Sequence, residues 1–299
     1  MGRSAQSATD DCRGAPVRIA VWAAVSILAA TGVLAFGQSL PLEPQHEAGA
    51  SITGAFEGWF KNSDGTYSLL LGYYNRNRKE EVDIPAGPDN RIEPGGPDRG
   101  QPTHFITGRD WGAFTIKVPA DFGENKLTWT LTVNSQTTTI PASLKADWEI
   151  SPFREAAVGN TPPELRFEEK GPSVQGPRGL TTERAATVGI PLSLRTWVSD
   201  DARFTSNSGA RPKNLPSPVT LRWTMYRGPA PVKFSQDRPM VEKIELAGVA
   251  FAGMAATAAT FSEPGEYVLR AVANDYSGEG GGGFQCCWTS GLVKVSVKP

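Results

Sequence analysis

The chain is poor in the residues on which most catalytic chemistry depends. It has 2 histidines and 3 cysteines. It contains neither a Gly-x-Ser-x-Gly elbow nor a His-Glu-x-x-His pair, so the common serine-hydrolase and metalloprotease signatures are missing. No carboxylate pair is singled out for glycosidase chemistry. An excess of either charge is also missing: Lys and Arg number 30 against 31 Asp and Glu, a net charge of -1. Without a basic excess the phosphate backbone has nothing to bind, which excludes nucleic acid as a partner. Separated cysteine pairs are absent as well. Cys12 stands near the start, and Cys286 and Cys287 are neighbours that cannot close a long loop. Stability therefore has to come from apolar cores rather than from a disulfide scaffold. Of the histidines, His46 lies in a polar leader, and His104, beside Phe105 at the start of a strand, reads as a hydrogen-bonded structural residue. Together these absences predict no enzyme.

One long apolar run is present, IAVWAAVSILAATGVLAFG from Ile19 to Gly37, preceded by Arg3, Arg13 and Arg18 and closed by the small-x-small pattern Ala35-Phe36-Gly37. It reads as a signal peptide cleaved near Gln38, or as an uncleaved anchor, because the run approaches the roughly 20 residues that span a bilayer. No lipobox cysteine follows it. Either way the remainder is extracytoplasmic: secreted, periplasmic or at the cell surface. The membrane is touched only through an uncleaved segment.

Beyond a polar leader (38–50) the patterning is that of strands. GAFEGWF and TYSLLLGYYNR flank the turn Asn62-Ser63-Asp64-Gly65, a strong hairpin signal. In KLTWTLTV, Leu127, Trp129, Leu131 and Val133 alternate with Thr128, Thr130 and Thr132, the period of a half-buried antiparallel strand. EVDIP, HFITGR, WGAFTIKV and TTTIP complete the block, with a long loop from Ala86 to Pro102. No helical apolar period appears here. The predicted fold is all-β, with two tandem antiparallel sandwiches at 51–150 and 162–299 joined by a linker at 151–161.

The second block carries Pro162-Pro163, Asp200-Asp201, Trp223, the run Pro264-Gly265-Glu266-Tyr267-Val268-Leu269, and Asn274-Asp275. In this order they resemble the immunoglobulin-like sandwich of the polycystic-kidney-disease (PKD) type found in many bacterial exoproteins. Where that family has Trp-Asp-Phe-Gly-Asp this chain has Trp223-Thr224-Met225-Tyr226, so it resembles a relative rather than a standard member. The first block resembles secreted bacterial proteins of unknown role, which implies no mechanism. Independently of the resemblance, Tyr267, Leu269, Ala271 and Ala273 share one strand face and Val293, Val295 and Val297 share another, both directed into one core. The Gly-rich run Gly280 to Gly283 would connect them.

Three candidate sites follow. The immunoglobulin-like topology puts the loops after its second and sixth strands at one end. Asp200 and Asp201 should therefore approach Asp275 and Glu279, either as hard-oxygen ligands for Ca²⁺, the one cofactor suggested, or as ordinary turn formers. Cys286 and Cys287 can hold a soft metal, form a vicinal disulfide or simply pack. On an unbroken last strand Cys287 faces the core and Cys286 faces out. In the first hairpin Trp59, Tyr67, Tyr73 and Tyr74 offer a candidate ligand face for an envelope or extracellular protein or polysaccharide. The alternative is that both hairpin faces are covered, one by the core and the other by the loop from Ala86 to Pro102. The expected function is a secreted or cell-surface, non-catalytic binding or spacer protein, with an extracytoplasmic metal-binding protein as the alternative.

Overall fold

Alternating apolar residues and turn-forming sequences make strands throughout. The structure, a computed structural model, describes residues 46–156, 158–204, 217–279 and 286–299. These lie in one compact unit, Gln45–Pro299. The apolar run Ile19 to Gly37 and the glycines Gly280 to Gly283 lie outside the described residues. The strands of the first half are β1 (Ile52–Lys61), β2 (Tyr67–Asn75), β3 (Val82–Asp83), β4 (Asn90–Glu93), β5 (His104–Phe105), β6 (Gly108–Val118), β7 (Lys126–Val133) and β8 (Gln136–Ser143). Those of the second are β9 (Glu164–Arg166), β10 (Val174–Gln175), β11 (Thr181–Thr187), β12 (Leu192–Asp200), β13 (Thr220–Arg227), β14 (Val232–Phe234), β15 (Glu242–Lys243), β16 (Phe251–Phe261), β17 (Gly265–Asn274) and β18 (Trp288–Lys298). The described residues contain no α-helix; a 3₁₀ turn spans Ala146–Trp148. None of their helices is long and apolar enough to cross a membrane.

In the first half the sheets run β1-β2-β6 and β4-β7-β8, with β3 paired to β5. The Asp64-Gly65 turn closes the β1–β2 hairpin, pairing Lys61 with Tyr67, and Gly65 takes the left-handed φ of +84° that the turn requires. The apolar set of β7 is buried as its period demands. β4 corrects the reading of Ala86 to Pro102 as loop: Asn90 and Ile92 are buried and pair with Leu131 and Trp129. The Gly and Pro residues around this short strand hid its alternation.

In the second half one sheet runs β10-β9-β12-β16-β14 and the other β11-β18-β17-β13. All pairs are antiparallel except β11 with β18. Tyr267, Leu269, Ala271 and Ala273 meet Val293, Val295 and Val297 in one apolar cluster with Trp223 and Phe261. A second cluster fills the first half around Trp129, Phe105 and Leu71.

The two clusters are stitched together. Tyr226 of β13 belongs to the first cluster, and Val268 and Leu292 pack against it. Arg227 makes a two-pronged contact with Asp98, both distances 2.8 Å. The Thr103 N–H donates to the Tyr226 carbonyl. Deepest lies Arg270, 2% exposed, whose Nη1 donates to both carboxylate oxygens of Asp110 at 2.8 and 2.9 Å and whose Nη2 donates to the Gly112 carbonyl. Gly112 sits at φ +50° directly against the Trp288 ring, where a Cβ would collide.

Candidate ligand sites

The aromatic hairpin does not present one open face. Trp59 is buried, donates from Nε1 to the Lys145 carbonyl at 2.7 Å, and packs edge-on against the half-buried Tyr67. Tyr73 is buried with its hydroxyl accepting from the Ile106 N–H. Of the four only Tyr74, 39% exposed, is on the surface, with the Arg76 guanidinium 5.6 Å from its ring centroid. Consecutive residues of a strand do face opposite sides. The far side, however, is closed by the segment after β8, where Trp148 meets Phe56 and Phe153 meets Phe60, and not by the loop from Ala86 to Pro102. Tyr74→Ala should therefore change stability by less than about 1 kcal/mol. Tyr73→Ala should cost the roughly 3–5 kcal/mol of a large aromatic removed from a core. Urea unfolding of the two variants measures the difference.

At the end of the second half, Asp200 closes β12 and Asp275 follows β17. Asp200 is 7% exposed. Its Oδ2 accepts from the Ala202 N–H at 2.7 Å, while its Oδ1 is buried with no partner among the described residues. Asp275 accepts from the Ser277 N–H and hydroxyl and, at 2.6 Å, from the Nδ2 of Asn160. Asn160 is 0% exposed, and its own Oδ1 is also buried without a partner. Burial, and then the neighbouring charges of Asp275 and Asp201, push the Asp200 carboxyl up from 3.8 to about 7. Burial raises Asp275 too. Asp201 is turned aside to cap local backbone, accepting from Thr161 and Arg203. Glu279 does not join the cluster: Arg238 Nη2 donates to it at 2.6 Å and Arg222 lies 4.0 Å away. Two guanidiniums neutralise it elsewhere. Among the described residues no three His, Cys, Asp or Glu side chains are grouped to hold a metal. The unpartnered oxygens belong instead to one carboxylate and one amide.

Asn160 was not singled out in the sequence. Its only signal was its place just before Pro162-Pro163, in a segment expected to be linker.

Cys286 and Cys287 are joined in a vicinal disulfide. Both are buried, which corrects the expectation that Cys286 faces out, because both precede β18 and its alternation does not govern them. Bonded to one another they have no thiolate to give a soft metal, so that reading is set aside. His104, as expected, is a buried structural residue. Its Nδ1 meets Asp83 at 2.8 Å and its Nε2 meets Glu81 at 3.0 Å. Burial lowers its pKa, but the two carboxylate contacts outweigh burial and carry it to about 9, so it is an imidazolium at neutral pH that ties β5 to β3.

No family model matches the chain, and no curated protein matches it. Among solved structures it is similar to an endo-fucoidan hydrolase of glycoside hydrolase family 107 and to a point variant of that enzyme, each at 11% identity and a TM-score of 0.22, over 85% of this chain and 30% of theirs. The chain thus spans about a third of the length of those proteins. The expectation that this chain is not an enzyme is withdrawn, because the solved proteins it is similar to are hydrolases. A likeness at that TM-score carries no argument about what this chain acts on.

Proposed function

We propose that the chain is an extracytoplasmic binding or spacer protein of two β-sandwiches, the second immunoglobulin-like and PKD-related, whose acidic loop end holds Ca²⁺. The observation that carries the metal reading is two buried, unpartnered oxygens, Asn160 Oδ1 and Asp200 Oδ1, on residues that both meet Asp275, Asn160 through its Nδ2 and Asp200 through its charge. A buried acceptor without a donor is costly. A hard cation relieves several such acceptors at once, because Ca²⁺ takes carboxylate and amide oxygens together. Backbone carbonyls and water would complete its shell.

The strand order of the second half supports the immunoglobulin-like reading. Its first strand pairs in one sheet, and the chain then crosses to lie parallel to the last strand of the other. Trp223 is buried on the strand where such sandwiches place a tryptophan. The Tyr267 hydroxyl donates back to the Glu263 carbonyl at 2.9 Å, the corner contact of that fold. Export is proposed from the Arg-flanked apolar run, and a disulfide between adjacent cysteines suits an oxidising compartment. The partner is an envelope or extracellular protein or polysaccharide.

The test is a melting curve of the full chain with Ca²⁺ or chelator at pH 6 and pH 8. In the metal-free protein the folded Asp200 holds a proton that the unfolded chain has lost once the pH exceeds its ordinary 3.8. Its contribution to stability therefore falls as pH rises from about 4 to about 7, by up to roughly 4 kcal/mol at 1.36 kcal/mol per pKa unit. Glu57, lifted to about 7 by burial against the opposing pull of Arg109, loses stability over the same window, so Asp200→Asn is needed to isolate the loop end. Calcium should raise the melting temperature more at pH 8 than at pH 6, by about 2.7 kcal/mol in stability at a hundredfold excess over Kd. Asp200→Asn should remove that response while leaving the metal-free protein as stable or more so. A wild-type transition that does not move in millimolar Ca²⁺ at pH 8 would return these residues to turn formation.

A further inference from the structure

A cleft between the outer face of the β17–β13 sheet and β6 collects hydrogen-bond donors that no described residue satisfies. Arg222 Nε, Arg270 Nε and Trp288 Nε1 are all buried without a partner, and all three residues line this one cavity of about 30 Å³. Arg270 and Trp288 are each 2% exposed. Every one of these orphan atoms is an N–H donor, so the missing group is an acceptor.

Charge narrows its chemistry. The other two nitrogens of Arg270 are committed to Asp110 and Gly112. Arg109 is paired with Glu57, and Glu279 takes Arg238 at 2.6 Å. Arg222 is held more loosely, 4.0 Å from a Glu279 oxygen that Arg238 takes at 2.6 Å and within reach of the charge of Glu81. Size narrows it further. At roughly 10–15 Å³ per water-sized group, the cavity has room for two or three such groups, enough for the two oxygens of a carboxylate. A neighbouring cavity of about 150 Å³ shares Ile106, Arg222 and Thr224 with it and is lined by Met225 and Phe234 beside Glu81, His104 and Asp237, giving space and some apolar surface for the body of a small molecule.

We propose that this cleft binds a small organic carboxylate, its two oxygens accepting from Arg222, Arg270 and Trp288 and its carbon chain lying toward Met225 and Phe234. An arginine facing a carboxylate in a desolvated pocket is the strong form of this contact. The site is separate from the loop-end metal site and does not depend on it.

The experiment is a titration of the full chain, in chelator and at constant ionic strength, with acetate and butyrate, and with chloride and sulfate as comparisons. It is followed by the indole N–H resonance of Trp288, assigned by its absence in Trp288→Phe. The expected result is a saturable shift with acetate, tighter with butyrate, and absent with chloride. Arg222→Gln, at a partly exposed position on the outer sheet face, should weaken binding by about tenfold or more, the effect of losing one charged hydrogen-bond donor. In Trp288→Phe the same titration read by melting temperature should show a comparable loss. A shift that does not saturate, that chloride reproduces, or that survives Arg222→Gln unchanged would mean that only water meets these donors. Tighter binding of sulfate than of acetate would overturn the carboxylate assignment.

Discussion

Replacing Arg270 with Met is expected to destabilise the protein by about 3–5 kcal/mol, the cost of breaking a buried ion pair by removing one partner. The guanidinium is 2% exposed and satisfies three acceptors at once, both oxygens of Asp110 and the carbonyl of Gly112. Met fills similar volume, so the loss comes mainly from the stranded carboxylate and carbonyl rather than from a cavity. The double variant Arg270→Met with Asp110→Leu separates these contributions. It should recover most of the loss, because an apolar pair of matching shape often performs as well as a buried salt bridge. Guanidinium unfolding of the four proteins of the cycle gives the coupling directly. A single variant within about 1 kcal/mol of wild type would show that the contact is dispensable.

Asn90→Ala should cost about 3 kcal/mol or more, at roughly 1–3 kcal/mol for each buried partner left unsatisfied. Asn90 is fully buried. Its Nδ2 donates to the carbonyls of Ile84 and Pro102 at 2.9 and 2.8 Å, and its Oδ1 accepts from Trp129 Nε1 at 3.0 Å. One amide therefore holds both ends of the segment around β4 against the central tryptophan of the first cluster. Asn90→Asp keeps the acceptor for Trp129 but sets a buried carboxyl oxygen against the two carbonyls, and should lose at least as much as Ala. Unfolding followed by tryptophan fluorescence reads both variants, and an Ala loss below about 1 kcal/mol would show that the amide is dispensable.

Much of the strand inventory was legible because local pattern and burial coincide. The Asp64-Gly65 hairpin and the Leu127–Val133 alternation appear where period two and turn chemistry require them. So do the facing sets on β17 and β18. β16 was only half legible. Its run of Gly, Ala and Thr has weak β propensity, and its small residues make sense only beside their neighbours, as at Gly253, whose missing Cβ leaves room for Val241. The approach of Asp200 to Asp275 could be anticipated from topology, but Asn160, which shares their site, could not. Nothing local marks a residue whose role comes from a partner 115 positions away.

What the amino-acid sequence determined by itself is the all-β class, the principal hairpin and the buried face of each patterned strand, since a strand's period and turns are local properties. The tertiary structure decided which polar groups lack partners. Trp59 and Tyr73 proved buried because both enter the first apolar cluster, with Trp59 also held by the Lys145 carbonyl from a distant segment. Arg270 has the parity of the outer sheet face, opposite Tyr267, Leu269 and Ala271, and is buried because β6 packs over that face. Whether a charge is solvated, paired or orphaned depends on what packs against it from far along the chain, and no local pattern encodes that distance.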